Sequence, residues 1–343
     1  FMIRVNNIHL SLDYDDKSVR KAVAQQLRIE EKSIKSCKIF RRSVDARKKD
    51  NIYFLTTVDA ELNINEDKVC KKCGNAQIAR KYEYNQMKFG NAPSPVVVGA
   101  GPAGLFAALI LARSGANPIL IERGRDVDRR TADVNKFWTS GQLDTTSNVQ
   151  FGEGGAGTFS DGKLNSGTKD IRQRKVLEEF VSHGAPDEIL YNAKPHIGTD
   201  MLKGTIKNIR NEIIELGGRV MFETKLVSMA FSDNKLKSIT VETANGNEII
   251  ETDNVILAIG HSARDTFEML YNLKLPIEAK PFSVGARIEH LRQKVDKAQY
   301  GRFAGNKKLG SANYKLSTHL DNGRGVYTFC MCPGGKVVNA SSE

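Results

Sequence analysis

Residues 95–124 read PVVVGAGPAGLFAALILARSGANPILIERG, and the order of features within them decides the fold. Val96, Val97 and Val98 form a short β-branched run between Pro95 and Gly99, the pattern of a strand buried in a parallel sheet. Gly99-Ala100-Gly101-Pro102-Ala103-Gly104 follows at once. In this spacing the first glycine permits a tight turn, the second lets a pyrophosphate approach the backbone, and the third lets a helix pack closely on the strand. Pro102 suits the first turn of a helix, Leu105 to Ser114 is rich in Ala and Leu, and Gly115 suits its end. Ile119-Leu120-Ile121 then reads as a second strand ending in Glu122. That acid stands about twenty residues past the glycines, where a carboxylate hydrogen-bonds a ribose hydroxyl. A glycine motif alone is weak evidence. Strand, glycines, helix, strand and acid in this order predict a dinucleotide site.

Ahead of this stretch, residues 1–64 read as a separate β-α-β-β module of ferredoxin-like type. Ile3-Arg4-Val5 is a short strand, and Asp15 or Asp16 caps a helix from Val19 to Leu27. Ile34 to Val44 and Ile52 to Leu62 are two strands joined by the charged turn Asp45 to Asp50, the second with a half-buried alternation. Residues 65–94 turn polar and read as a linker. Cys70-Lys71-Lys72-Cys73 within it is half of a zinc site with no partner pair nearby, so incidental thiols are expected.

Beyond Glu122, Asp126 to Trp138 is helix-like, and residues 151–164 read FGEGGAGTFSDGKL. So many glycines cost folding entropy, a cost that makes sense where backbone must approach a ligand and offer it consecutive N–H donors. A helical insertion spans about 165–217: Asp170 caps one helix, and Thr199 caps another with Leu202, Ile206, Ile209, Ile213 and Leu216 on its core face. Lys194-Pro195-His196 precedes it, either an anion site or a plain turn. Strands follow at Val220–Phe222, Leu226–Phe231, Leu236–Glu242 and Glu248–Ile250, then a buried run Val255–Ile259 ending in Gly260. A βαβ start, a β-meander and a returning parallel strand predict an FAD-type Rossmann-like domain over 95–265. Residues 266–343 read as a substrate or cap domain, in which Ser283 to His290 alternates like a strand.

The chain is long enough, at 343 residues, for two or three domains, and no apolar run approaches the eighteen or so residues of a membrane span. Phe1-Met2 reads as an added residue before a native start with no signal peptide, and the five cysteines do not look like a secreted disulfide framework. A cytoplasmic protein is expected. The net charge of +11 is read as a lysine-rich surface plus a pocket for an anionic cofactor, with nucleic acid not the expected partner.

RVNNIHL, RRSVDARKK, VVVGAGPAGLFAAL, VQFGEGGAGTFSDGKL, KPHIGTDML, PFSVGARIEH and FCMCPGG together resemble the bacterial family of uncharacterised FAD-dependent dehydrogenases, within the glutathione-reductase-like two-dinucleotide-binding superfamily. The resemblance implies that Gly99, Gly101, Pro102, Ala103 and Gly104 hold the FAD pyrophosphate and Glu122 the adenosine ribose, with Arg123 beside the phosphates. Gly154, Gly155, Gly157, Thr158, Ser160 and Lys163 would approach pyrophosphate and flavin. Leu226 and Val227 would meet adenine, and Ala258 and Gly260 would close the cleft. Cys330, Cys332, His196, Lys194 and Arg287 are candidates for the substrate side, with no acid–base role assigned. No metal is implied.

These features make an oxidoreductase passing electrons through flavin N5 the leading expectation; with no second glycine motif, either NAD(P)H docks as a transient co-substrate or the electrons come from another source. A flavin-dependent RNA-modifying enzyme and a non-enzymatic flavoprotein with a docking module are the alternatives. The family's flavin domain ends with a further strand, loop and helix that do not follow Glu343. The expectation is therefore that this chain alone retains little FAD while a longer one is yellow. Flavin absorbance per protomer of the two checks it, and equal occupancy contradicts it.

Overall fold

The computed structural model describes residues 2–343 apart from 91, 92, 161, 165, 169, 330, 334 and 336. The N-terminal unit runs β1 (Met2–Leu10), α1 (Asp16–Leu27), β2 (Ile34–Asp45), β3 (Tyr53–Leu62), α2 (Glu66–Lys72) and β4 (Ala76–Ala79). Its strands form an antiparallel sheet in the order β2-β3-β1-β4. Asp15 caps α1 by accepting from the Ser18 N–H, while Ser18 reaches back to the Asp15 N–H. Val19, Val23, Ala24 and Leu27 of α1 bury against Ile3, Val5, Val58 and Ala60 of the sheet.

The reading of 65–94 as linker is corrected over its first half. Asn65 caps α2 through the Lys68 N–H, and β4 pairs with β1 from Met2↔Ala79 to Val5↔Ala76. The free edge of β1 needs hydrogen-bond partners, and four residues suffice to supply them. The polar composition hid this because α2 buries only Val69, with Cys70 and Cys73 partly covered.

The second unit begins with β5 (Val96–Val98), α3 (Pro102–Arg113) and β6 (Ile119–Ile121). It continues through α4 (Val127–Ser140), α5 (Gln173–Ser182), α6 (Thr199–Glu215) and β7 (Arg219–Met221). A meander of β8 (Lys225–Ser232), β9 (Lys235–Thr243) and β10 (Gly246–Glu251) precedes β11 (Val255–Leu257). The parallel sheet has the order β11-β5-β6-β7. Alternation divides its side chains between two cores. Val97 and Leu120 face α3, α5 and α6, whereas Val96, Val98, Ile119 and Ile121 face the meander through Leu226, Ile239 and Val241.

Two details of α6 depart from expectation. Gly198, at φ +86°, occupies the cap position, so Thr199 is the first helical residue and makes no capping bond. Leu216 is 41% exposed and falls outside the buried stripe.

Residues after Ser262 form α7 (Arg264–Asn272), α8 (Arg292–Tyr300), and a small hairpin of β12 (Ser317–His319) and β13 (Gly325–Tyr327). They do not enclose a core of their own among the described residues. Val295, Tyr300, Leu309 and Ala312 instead join the core of the N-terminal unit. The strand expected over 283–290 is absent, with Phe282 86% and Val284 85% exposed. Alternation supplies a face but not hydrogen bonds, and no described strand pairs with this segment.

A second seam joins the units at β2. The Arg42 N–H donates to the Tyr191 carbonyl at 2.7 Å, and the Ala193 N–H donates to the Arg42 carbonyl at 2.9 Å. The Arg42 guanidinium bonds Tyr14 Oη at 2.8 Å and Asn192 Oδ1 at 3.1 Å.

The glycine turn between β5 and α3 has no slack. A Cβ at Gly104 would lie 1.8 Å from the Gly99 carbonyl oxygen. Gly104→Ala should therefore lower stability by at least about 3 kcal/mol, since backbone rather than a mobile side chain must yield. A urea melt reads this, and a loss below about 1 kcal/mol would show that the turn can open.

Candidate functional site

The turn after β5, the end of β6, the start of β8, the end of β11 and the glycine-rich loop converge on a cleft of about 460 Å³. Gly99, Gly101, Pro102 and Ala103 form one wall, and Leu226, Ala258, Ile259 and Gly260 form the other. Gln150, Phe151, Gly152, Gly155 and Ala156 close it from the loop side. A Cβ at Gly101 would meet only the Gly155 Cα, at 3.9 Å, so the side chain it lacks would project into the cleft. The first-turn N–H groups of α3 have no intrahelical acceptors, and with the helix dipole they make its start an anion site.

Glu122 departs from a simple ribose ligand. It is buried, and its carboxylate accepts the Ala100 N–H on Oε2 at 2.8 Å, and the Gly124 and Gly152 N–H groups on Oε1 at 2.9 Å each. Each carboxylate oxygen takes about two donors, so Oε2 keeps one acceptor position. Glu122 therefore does two jobs: it clamps the glycine turn to the strap of residues 148–153, and it offers a single acceptor to a ligand.

The strap is itself held by Arg130 of α4, which is fully buried. Its guanidinium donates to the carbonyls of Asn148 at 2.8 Å, Val149 at 2.8 Å and Glu153 at 2.5 Å. Burial lowers its pKa to about 10, which leaves it charged at neutral pH. Gly152, at φ +117°, is obligatory here because a Cβ would lie 2.4 Å from Arg130 Cδ. Glu153 is buried as well. Its Oε2 accepts from the Val127 N–H at 2.7 Å and from Arg210 at 2.9 Å, while Oε1 has no hydrogen-bond partner. Burial pushes its carboxyl above the usual range, ahead of the opposing pull of the Val127 N–H and Arg210.

At the mouth, Asp265 ties two cations. Arg123 Nη2 reaches its Oδ1 at 2.8 Å and Lys225 Nζ its Oδ2 at 2.7 Å. Burial alone would raise the Asp265 carboxyl, but the Arg123 and Lys225 bonds carry it far below the usual aspartate range. Arg123 also donates to Thr266 Oγ1 at 3.0 Å and lies over the Phe151 ring at 4.5 Å.

Of the residues anticipated from the motifs, Gly99, Gly101, Pro102, Ala103, Glu122, Arg123, Gly155, Leu226, Ala258 and Gly260 line the cleft. Gly104 serves packing, and Gly154 donates its N–H to the Ala100 carbonyl at 2.8 Å from beneath the turn. Thr158 is buried with an unpartnered hydroxyl, Gly157 and Ser160 lie off the cleft, and Val227 points away from it while Leu226 points in. Lys163 pairs by a β-bridge with His196 and donates to the Met331 carbonyl and to Cys332 Sγ, the latter at 2.9 Å. Lys194 bonds Asn313 Oδ1. Lys163, Lys194, His196 and Cys332 thus gather on one side of the loop. Arg287 is apart, donating to the Val338 carbonyl at 3.3 Å, and Cys330 lies outside the described residues. The motifs missed Gln150, Gly152, Lys225, His261, Ser262, Thr266 and Phe267. Gln150 and Gly152, inside the stretch VQFGEGGAGTFSDGKL, carried a signal. No group of three or more metal-ligating side chains occurs among the described residues, and no described helix is long and apolar enough to cross a membrane.

Residues 93–267 match the pyridine nucleotide-disulphide oxidoreductase family. Residues 281–343 match the C-terminal domain of FAD-dependent proteins, and residues 2–61 a domain of unknown function. An uncharacterised protein of Clostridium beijerinckii is 47% identical over 347 residues, which cover 99% of this chain and 64% of that one. The chain therefore spans just under two thirds of the length of this curated relative. Among solved structures, Thermovibrio ammonificans THI4 is 15% identical over 54% of this chain and 64% of its own, with a TM-score of 0.36. The flavin-dependent monooxygenase PieE, in complex with FAD and substrate, is 16% identical over 56% of this chain and 34% of its own, with a TM-score of 0.33.

Replacing Arg130 by Met should cost about 3–5 kcal/mol, because three buried carbonyls lose their donor together. Chemical denaturation measures it, and a neutral result would mean that the strap holds itself. A pH prediction follows from Asp265. Its folded pKa lies below the unfolded value of about 4, so its contribution is present above that value and is lost as pH falls through the lowered one. The stability gap between the parent and Asp265→Asn should be constant from neutral to about pH 5 and close in stronger acid. A gap that grows with acid would contradict the ion triad.

Proposed function

The chain belongs to the pyridine nucleotide-disulphide oxidoreductase family, and from that premise we propose that it is the nucleotide-binding part of an FAD-dependent oxidoreductase acting on a small molecule. The observation that supports this most is the convergence at the cleft of the α3 N-terminus, the side-chain-free turn at Gly101 and the one open acceptor on Glu122 Oε2. A pyrophosphate suits the N–H groups at the start of α3, and a ribose hydroxyl suits Glu122. Leu226 and Phe267 offer apolar surface to a purine.

When bound, the flavin supplies hydride or electron-pair transfer at N5. The chain's own part is to orient and to exclude water. Glu122, Arg130 and Gly152 keep the strap against the glycine turn, and Lys163 with His196 fixes the far side of the loop. Lys163, Lys194, His196 and Cys332 form the cluster we assign to the substrate side, with NADH or NADPH docking transiently as donor.

Full-length protein should release FAD, identified by its spectrum and by chromatography, and the bound flavin should bleach when NADH or NADPH is titrated in anaerobically. Recovery of NAD(H) or FMN would overturn the cofactor assignment. Glu122→Ala should weaken adenine-nucleotide binding by roughly 1–3 kcal/mol, with circular dichroism confirming that the sheet persists.

A further inference from the structure

Among the described residues that line the cleft, the only lysine and arginine side chains are Arg123 and Lys225. Both are committed to the same carboxylate, one to each oxygen of Asp265. Both also flank the acid that offers a ligand its acceptor. Arg123 is the next residue after Glu122, and Lys225 follows Thr224, whose N–H donates to the Glu122 carbonyl at 2.9 Å. Formal charges at this mouth cancel: two cations against the Glu122 and Asp265 carboxylates.

We propose that Asp265 is a specificity-determining residue that acts through Arg123 and Lys225, so that the cleft accepts nucleotides with an unmodified ribose and rejects those carrying an additional ribose phosphate. The inference rests on the cleft's holding the adenosine end of a dinucleotide.

The charge pattern favours this reading over a mere staple between α7 and the sheet. An unpaired arginine or lysine beside a ribose site recruits phosphate, the arginine by a bidentate fork. Here Asp265 Oδ1 and Thr266 Oγ1 both accept from Arg123 Nη2, Asp265 Oδ2 accepts from Lys225, and Phe151 lies against the guanidinium face. A second phosphate drawn to these cations would sit against a carboxylate already paired with both of them and beside another, Glu122. This is selection by an element that repels the wrong ligand rather than by added contacts to the right one. The 5′-phosphate is untouched by this arrangement, because its site is the backbone at the start of α3. Asp265 stays ionised throughout the physiological range, so the discrimination does not switch with pH.

The test measures calorimetrically the binding of two probes that differ by one phosphate, 5′-AMP and adenosine 2′,5′-bisphosphate. The parent chain should favour 5′-AMP. Asp265→Asn should move the ratio of dissociation constants toward the bisphosphate by about tenfold or more, and Asp265→Glu should restore the parental ratio. A staple would alter stability in both variants without moving that ratio. If 5′-AMP binds and Asp265→Asn leaves the ratio unchanged, the inference fails while the cleft assignment stands. If neither probe binds the parent, the cleft assignment fails and takes the inference with it. A parent chain that already prefers the bisphosphate overturns the proposal however the variants fold.

Discussion

Arg130 has no access to solvent, and the geometry of the cleft depends on where its guanidinium goes. A buried charge is tolerated only when its donors are satisfied, and this one is satisfied by three backbone carbonyls of the strap. The strap is thereby fixed in a path that carries Gly152 beneath Glu122 and Gly155 against Pro102. Removing the guanidinium would release both ends of that path at once. Gly152 is a consequence of the same constraint, since a Cβ there would collide with Arg130, whereas one at Gly154 would collide with Thr158 and Ile206.

The nucleotide fold was legible because each of its features is local. A β-branched run, a glycine turn with a proline at the first helical position, and an apolar helix occur within a few residues of one another, and the structure places all of them as β5, α3 and β6. The same holds for the meander, whose turns and alternation lie within single hairpins. Glu122 was found, but its second role was not, because its partner Gly152 comes from a strap thirty residues away along the chain. Lys225, Thr266 and Asp265 carried no motif at all, since an ion triad assembled from three elements leaves no spacing to read.

The errors have a common cause. A strand needs a partner as well as a pattern. Ala76 to Ala79 had little pattern but faced the open edge of β1, and became β4; residues 283–290 had the pattern without a described partner, and did not become a strand. The range 266–343, expected as a substrate or cap domain, shares a core with the N-terminal unit. Its apolar residues Val295, Tyr300, Leu309 and Ala312 pack with those of the N-terminal unit.

The seam at Arg42 gives the N-terminal unit a mechanical role. Two main-chain hydrogen bonds lock one rung of its edge strand to residues 191 and 193, and the chain runs from there directly into Lys194 and His196. His196 is in turn laddered to Lys163. β2 is itself paired with β3 from Ile34↔Leu62 to Asp45↔Tyr53, so sliding it would break that register along its length. The N-terminal unit therefore serves as an anvil: the loop that carries Lys194 and His196 is braced against a paired sheet, and a load on that loop passes to a core built from the other end of the chain.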